Sequence, residues 1–177
     1  MTSTNEHIFH FRAGKTEDAA LLADLGWRTF DEAFAEYNKP EDMEAFKPIM
    51  YSPELQAAEL ADPNTEFVIV EAKGEAVAYI KINTAAAPEE IVAKKPLQIS
   101  RLYITRAWLG QGLGDKLMQW CLSKAKADGF DVVWLTVWEH NERAKRFYRK
   151  YNFREMGELG FILGNDIQRD LYMQVEV

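Results

Sequence analysis

The sequence is poor in the residues that build disulfides, metal centres and membrane spans. Its single cysteine, Cys121, excludes a disulfide within the chain, and this cysteine and the three histidines show no metal-ligand spacing. No apolar run approaches the roughly 20 residues that span a bilayer. Met1–Phe11 lacks the basic start and the continuous apolar stretch of a secretory signal peptide. We therefore expect a soluble cytoplasmic protein without a metal.

Positive charge is also scarce. The chain carries 21 Lys and Arg against 28 Asp and Glu, a formal net charge of −7. This balance argues against binding to nucleic acid or to an anionic membrane surface. It is compatible with a cationic small-molecule substrate, although it also serves solubility alone. The length of 177 residues and the 47 % hydrophobic content fit one globular domain over residues 1–177.

Apolar periodicity and turn residues predict alternating strands and helices. The predicted strands are His7–Arg12, Phe67–Glu71, Ala76–Ile82, Leu97–Ile104, Val132–Trp138, Phe153–Glu158 and Gln168–Val177. The predicted helices are Thr16–Ala35, one or two pieces of Glu41–Leu60 interrupted at Pro48 and Pro53, a helix ending near Ala127, and Asn141–Tyr151. The strand–helix–strand unit Leu97–Trp138 implies a parallel strand pair. We expect an α/β (α+β) fold with a mixed central sheet of about seven strands, flanked by helices.

Three alternating glycines, Gly110, Gly112 and Gly114, lie between a predicted strand and a predicted helix, in the stretch ITRAWLGQGLGDKLM. Such a turn aims backbone N–H groups at an anion. The spacing fits neither a Walker A loop nor the G-x-G-x-x-G dinucleotide fingerprint. A backbone cradle for a pyrophosphate and a merely tight turn both remain open. Asp115 would repel a dianion, so we expect its side chain to point away from one.

A second segment, LTVWEHNERAKRFYRKYNF, follows about thirty residues later. Asn141 is a natural N-cap of its predicted helix. Ala144, Phe147, Tyr148 and Tyr151 share one helical face. By this pattern alone, the favoured interpretation of Tyr148 is a core tyrosine with its hydroxyl hydrogen-bonded.

Together the two segments resemble the Gcn5-related N-acetyltransferases. In that family a Q/R-x-x-G-x-G/A turn wraps the pyrophosphate of acetyl-CoA, and a V-x-x-x-N-x-x-A-x-x-F-Y-x-K-x-G-F segment completes the site. The resemblance is specific over Leu97–Glu158. Leu109 stands where the family has Gln or Arg, and Asn152 where it has Gly, asparagine being the next best residue for a left-handed conformation. The matching positions are Gly112, Gly114, Asn141, Ala144, Phe147, Tyr148, Lys150 and Phe153.

The resemblance implies acetyl transfer from the co-substrate acetyl-CoA to a primary amine. It implies that Tyr148 is catalytic, beside the departing thiolate, and that a backbone N–H of Leu102–Ile104 binds the oxyanion. A phenol is a weaker acid than a thiol, and full proton transfer would be uphill by about 2 kcal/mol, so we expect Tyr148 mainly to hydrogen-bond the thiolate. The implied cofactor-binding residues are Leu102, Tyr103, Ile104, Leu109, Gly110, Gln111, Gly112, Leu113, Gly114, Asp115, Asn141, Ala144, Phe147, Tyr148 and Lys150.

Within the family, TFDEAFAEYN (Thr29–Asn38) and VWEHNERA resemble the bacterial spermidine/spermine N-acetyltransferase subgroup. In the family this first helical segment walls the acceptor site. Carboxylates among aromatic rings suit a polyamine, although a solvated acidic helix face explains them equally well. The implied substrate-binding residues are Trp27, Phe30, Asp31, Phe34 and Tyr37.

Several alternatives stay open at this point. The acceptor could instead be a peptide α-amine, a lysine or an antibiotic amine. An alternative function of another class is that of a regulatory protein that binds acetyl-CoA with little turnover. The general base is not identified, because Glu71, Glu139 and His140 are each better explained as a surface charge than as the base. Homodimers are common in the family, and the terminal strand Leu171–Val177 could pair with a second subunit.

Overall fold

The computed structural model describes residues 9–177, so His7 and Ile8 of the first predicted strand lie outside the described residues. The strands are β1 His10–Ala13, β2 Thr65–Ala72, β3 Glu75–Asn83, β4 Pro96–Ile104, β5 Val132–Trp138, β6 Arg154–Leu163 and β7 Asp166–Glu176. The helices are α1 Ala19–Phe34, α2 Pro40–Met50, α3 Pro53–Ala61, α4 Leu113–Ala127 and α5 Glu142–Lys150. Within residues 9–177, no helix is both long and apolar enough to cross a membrane.

The strands form one seven-stranded sheet in the order β1-β2-β3-β4-β5-β7-β6. Only β4 and β5 pair in parallel among the described strands, and every other neighbouring pair is antiparallel. The expected mixed α/β fold with about seven strands is confirmed, as is the parallel pair within Leu97–Trp138.

Helices cover both faces of the sheet because the strand side chains alternate in direction. One face packs Leu117 of α4 and Tyr148 of α5 into the largest apolar cluster, with Leu102 and Ile104 of β4. The opposite face lies under α1 to α3 and carries rings such as Tyr79. The sheet therefore separates two chemically different sides, one aliphatic and one rich in aromatic and polar groups.

Two helix boundaries differ from the predictions. Helix α2 continues through Pro48 to Met50, because a proline in the last turn removes only one backbone hydrogen bond near the helix end. The helix predicted from Thr16 begins instead at Ala19, after a short 3₁₀ turn over Thr16–Asp18. In that turn the Asp18 carboxylate accepts hydrogen bonds from the Lys15 backbone N–H and from Arg12.

Candidate active site

Strands β4 and β5 separate at their carboxyl ends. They pair only over Pro96–Ile99 and Val132–Leu135. Beyond this, β4 runs on to Ile104 paired with β3, and β5 runs on to Trp138 paired with β7. Ser100 is an extra residue in the β3–β4 ladder, and such a bulge bends its strand. The gap between the two strand edges opens at the carboxyl end of a parallel pair, where α/β folds bind ligands.

The turn before α4 offers backbone N–H groups to the mouth of this gap. Gly110 and Gly112 have φ of 78° and 79°, and a Cβ added at either would meet nothing within 4 Å. Lys116 is the residue whose N–H reaches back to the Gly112 carbonyl, at 3.1 Å, so the N–H groups of Leu113–Asp115 have no acceptor within the helix. The helix dipole adds positive potential here, and the turn is suited to an anion.

Gly114 has a different role from its two neighbours, because a Cβ there would lie 3.3 Å from the Phe147 ring. Its small size lets α4 and α5 approach closely. Asp115 then accepts hydrogen bonds from Lys150, at 2.6 Å, and from the Tyr151 hydroxyl. These two donors, Lys150 first, hold the pKa of Asp115 below its usual value. Two predicted cofactor-binding residues, Asp115 and Lys150, thus pair with each other across the two helices.

Helix α5 begins as the sequence predicts. The side chain of Asn141 accepts a hydrogen bond from the backbone N–H of Ala144 at 3.1 Å, which confirms the N-cap. Past the other end of the helix, Asn152 adopts a φ of 64°, the conformation for which asparagine is the next best residue after glycine. This local geometry fixes the rotation of α5 and directs Phe147 and Tyr148 toward the sheet.

Tyr148 is buried against the aliphatic face of the sheet, with 9 % of its surface exposed. Its ring centroid lies 5.6 Å from that of Phe147 and 5.7 Å from that of Phe153. Burial, together with the nearby Tyr103, raises the pKa of Tyr148. The hydroxyl is therefore a neutral hydrogen-bond donor across the physiological pH range.

Tyr103 of β4 approaches from the opposite face of the sheet. Its ring lies 6.1 Å from Tyr79, whose own buried hydroxyl has no hydrogen-bond partner among the described residues. Burial raises the pKa of Tyr103 to about 12, and its hydroxyl interacts with that of Tyr51. The separated end of β4 is thus bordered by two neutral phenols, Tyr148 on one face and Tyr103 on the other.

An aromatic wall stands at the end of β5, made of Phe34, Tyr37 and Trp138. The Trp138 ring lies 6.1 Å from Phe34 and 5.4 Å from Tyr37. Tyr37 is 60 % exposed, so this wall faces solvent on one side. The sequence predicts Phe34 and Tyr37 as substrate-binding residues but gives Trp138 only as the last residue of a predicted strand.

The other three predicted substrate-binding residues lie apart from Trp138. Phe30 is buried beneath the wall, 5.0 Å from Phe46. Trp27 is one helical turn further away, where the Lys47 amine lies over its ring. Asp31 is exposed on the surface of α1. Trp138 therefore contacts two of the five predicted residues, Phe34 and Tyr37, and a third, Phe30, packs against Phe34 with ring centroids 4.7 Å apart.

The three candidate bases from the sequence are surface groups. Glu71 forms an ion pair with Arg12 at 2.7 Å. Glu139 forms one with Arg169 at 2.6 Å, and that hydrogen bond lowers the pKa of Glu139. The side chain of His140 is 69 % exposed. In residues 9–177, no three His, Cys, Asp or Glu side chains are grouped to hold a metal ion.

One acidic residue near the site escaped the sequence analysis. Asp170 lies on β7 directly opposite Trp138 of β5. Burial raises its pKa to about 6, and a negative charge on Asp170 raises the pKa of Tyr103 in turn. The signal in the sequence is weak, since Asp170 is simply one polar member of the alternating strand QRDLYMQV.

Comparison with known proteins agrees with this geometry. Residues 26–153 match the family model for acetyltransferases of the GNAT family. An uncharacterized N-acetyltransferase of Lactobacillus delbrueckii subsp. lactis is 34 % identical over 146 residues, which cover 82 % of this chain and 84 % of that protein.

Two solved structures share the fold. The PaiA N-acetyltransferase of Thermoplasma acidophilum in complex with coenzyme A has a TM-score of 0.77 at 18 % identity, covering 96 % of this chain and 99 % of that one. NAA60 of Arabidopsis thaliana in complex with a bisubstrate analogue has a TM-score of 0.74 at 13 % identity, covering 96 % and 98 %.

Proposed function

This chain belongs to the acetyltransferase (GNAT) family, and we propose that the amine it acetylates is a small cationic one, such as a polyamine. Its activity is that of an acetyl-CoA-dependent N-acetyltransferase. Acetyl-CoA supplies the acetyl group as a thioester. The residues of the chain have to bind this co-substrate, orient the amine, accept its proton and stabilise the departing sulfur.

Backbone groups are suited to hold acetyl-CoA. The free N–H groups of Leu113–Asp115 would receive the pyrophosphate without a side-chain cation. The side chain of Leu109 has no polar group to offer the pyrophosphate, so backbone N–H groups would have to bind it. The edges of β4 and β5 that face each other across the gap carry unpaired backbone groups, to which the amides of the pantetheine arm would hydrogen-bond.

Tyr148 would donate a hydrogen bond to the sulfur as negative charge develops on it. Because burial raises the pKa of Tyr148, the phenol is an even weaker acid relative to a thiol than it is in water. A hydrogen bond that strengthens as the C–S bond breaks therefore suits this residue better than complete proton transfer.

The observation that carries the choice of acceptor is the aromatic wall of Phe34, Tyr37 and Trp138. Aromatic faces attract alkyl ammonium groups. The net charge of −7 would attract a polycation over a longer range.

The test is a thiol-release assay with purified protein, acetyl-CoA and a panel of acceptors. The panel contains spermidine, a monoamine of equal chain length, a peptide with a free α-amine, an acetylated lysine peptide as a blank and an aminoglycoside. We expect the highest kcat/KM with spermidine, and a lower value with the monoamine. Calorimetry with acetyl-CoA alone measures co-substrate binding independently.

Two other outcomes of this assay would each assign a different function. Turnover confined to the peptide or the aminoglycoside would refute the polyamine class while leaving the acetyltransferase activity in place. Tight binding of acetyl-CoA without thiol release for any acceptor would favour a regulatory acetyl-CoA-binding protein.

A further inference from the structure

We propose that Asp170 is the proton acceptor for the attacking amine, a role that places a catalytic carboxylate on β7, beyond the two strands that border the gap. This inference rests on the proposed function, since it concerns the amine that receives the acetyl group. The general base, for which the sequence offered Glu71, Glu139 and His140, is thereby assigned to Asp170.

The register of the sheet brings Asp170 to the acceptor side. Residues opposite each other on antiparallel strands point to the same face, so Asp170 lies on the face of Trp138. Tyr103 of β4 belongs to that face too, and Asp170 is near enough to perturb its titration. Gln168, two residues earlier on β7, donates a hydrogen bond at 2.6 Å to Asn38, which follows the Ala35–Tyr37 turn. Asp170 thus lies one strand beyond β5 from the gap, on the face of the sheet that carries the aromatic wall and within electrostatic reach of Tyr103.

Asp170 has no hydrogen bond and no ion pair among the described residues, although it is partly buried. The preceding residue, Arg169, does have partners. It lies on the opposite side of the strand and forms ion pairs with Glu139 at 2.6 Å and with Glu158 at 2.9 Å. A desolvated carboxylate without a partner costs free energy and contributes nothing to folding, which is typical of a group kept for chemistry.

The surroundings keep this carboxylate responsive to pH. The side chains opposite it, Trp138 on β5 and Leu159 on β6, do not titrate. The titratable groups near its face include the phenols of Tyr103 on β4, Tyr172 on β7 and Tyr37 on the turn above, and the Glu36 carboxylate of that turn is hydrogen-bonded to Tyr37. The ring of His140 packs edge-on against Trp138, with centroids 5.2 Å apart. Burial is the cause that raises the pKa of Asp170 to about 6, so the group is an ionised base at neutral pH.

The proton balance of the reaction has a place for one such base. The acceptor ammonium loses one proton to water, which frees the nitrogen lone pair. The nitrogen then bonds to the thioester carbon and becomes acidic, and Asp170 takes its second proton. The C–S bond breaks with its electron pair on sulfur, the thiolate accepts a hydrogen bond from Tyr148, and the sulfur then takes a proton from solvent. Asp170 then returns its proton to solvent, so one proton is released per amide formed.

The experiment compares Asp170→Asn and Asp170→Glu with Asp166→Asn, the same substitution on an exposed aspartate of the same strand. A general base contributes about 10²- to 10⁴-fold, so we expect Asp170→Asn to lower kcat at least about 100-fold with little change in the KM of the amine. Asp170→Glu should recover part of the loss. Asp166→Asn should behave as wild type, and calorimetry should show unchanged acetyl-CoA affinity for all three variants.

The pH profile supplies a second readout. Wild-type kcat/KM depends on an ionised Asp170 and on a neutral amine. It should fall about a hundredfold per pH unit below the Asp170 pKa of about 6, and about tenfold per unit between that pKa and the pKa of the amine. In Asp170→Asn only the tenfold dependence should remain.

Two results overturn the proposal while the acetyltransferase function stands. One is an Asp170→Asn variant that keeps wild-type kcat and the steep acid limb. The other is a rise in the KM of the amine at unchanged kcat, which would make Asp170 an anchor for the ammonium. If the wild type acetylates a peptide amine in place of a polyamine, the same variants are measured with that peptide. No thiol release from the wild type with any amine would overturn the proposed function and this inference together.

Discussion

Two tyrosines on helix α5 present their hydroxyls to different surroundings. Tyr148 faces the sheet and is buried, whereas the Tyr151 hydroxyl binds Asp115 at the junction of α4 and α5. Spacing alone groups both on one helical face and therefore could not separate their roles. The separation comes from the short distance between α4 and α5 at Gly114, which is a tertiary feature.

Tyr148 and Tyr151 provide a matched test of the catalytic role of Tyr148. Tyr148→Phe should lower kcat about 100-fold, because it removes a donor to the charge that develops on sulfur, while the Kd for acetyl-CoA stays within about threefold. Steady-state thiol release measures the first quantity and calorimetry the second. Tyr151→Phe removes a hydroxyl from the same helix and should leave kcat nearly unchanged. Equal turnover in the two variants would remove Tyr148 from the mechanism.

Two tryptophans distinguish the aromatic wall of Phe34, Tyr37 and Trp138 from the acceptor site that the sequence predicts. Trp138→Leu should raise the KM for a cationic acceptor roughly tenfold, since a cation–π contact contributes about 0.5–2 kcal/mol. Trp27→Leu, on the predicted but distant part of α1, should change that KM much less. The measurement is kcat/KM for spermidine, with the KM for acetyl-CoA as the internal control. A larger effect from Trp27 would place the acceptor against the Lys47 side of α1.

At the scale of elements, the glycine turn combines an unusual backbone conformation with open space. Gly112 has a φ of 79°, and Gly74, in the β2–β3 turn, has a φ of 81°, with no atom within 4 Å of an added Cβ at either position. Alanine at each site should destabilise the fold by about 1–2 kcal/mol through the same backbone strain. Gly112→Ala alone should also weaken acetyl-CoA binding, because a methyl group would stand where the pyrophosphate approaches.

Urea unfolding and calorimetry separate the two effects of these alanine substitutions. We expect similar free energies of unfolding for Gly112→Ala and Gly74→Ala, and a raised Kd for acetyl-CoA only in Gly112→Ala. A normal Kd in Gly112→Ala would mean that the glycine turn is tight for structural reasons alone, which is the reading that the sequence left open.

Local patterns predicted many of the elements because the information lies within each element. The strand Val132–Trp138 and the N-cap Asn141 are confirmed, since a doubly covered strand and a capped helix are encoded by neighbouring residues. The helix interruption predicted at Pro48 is wrong, because the effect of a proline depends on how many hydrogen bonds of the helix follow it.

The gap itself could not be predicted from the sequence. Its opening depends on an extra residue, Ser100, in the β3–β4 ladder and on the short β4–β5 pairing. Both features follow from how segments that are distant in the sequence align with each other in the sheet. For the same reason the sequence could not predict Trp138 and Asp170 as residues of the proposed site. Their proximity is a cross-strand pairing of residues 32 positions apart, which no local periodicity reports.

At the scale of the whole molecule, the candidate site lies where the seven-stranded sheet has a short ladder. The β1–β4 and β5–β7 parts of the sheet are joined by only four residue pairs of parallel ladder. Residues that serve chemistry at such a junction commonly lower stability, and their removal stabilises the fold. Asp170 is the clearest case, because burial disfavours its charged form and no partner compensates.

The cost of Asp170 should appear as a dependence of stability on pH. Its pKa is raised from 3.8 to about 6 on folding, so the folded state binds the proton more tightly than the unfolded state does. The penalty is absent well below pH 3.8 and complete above about pH 6. Asp170→Asn should therefore raise the free energy of unfolding by about 2 kcal/mol at pH 8, with solvent screening of the carboxylate taken into account, and by about 1 kcal/mol less at pH 5.

Urea unfolding of wild type, Asp170→Asn and Asp166→Asn at the two pH values measures this difference without any assay of turnover. Asp166 is exposed, so its substitution should change stability little and equally at both pH values. Because kcat should fall while stability rises in Asp170→Asn, the variant separates a functional carboxylate from a structural one. A structural carboxylate would show the opposite sign, since the loss of its partner would lower the free energy of unfolding at pH 8.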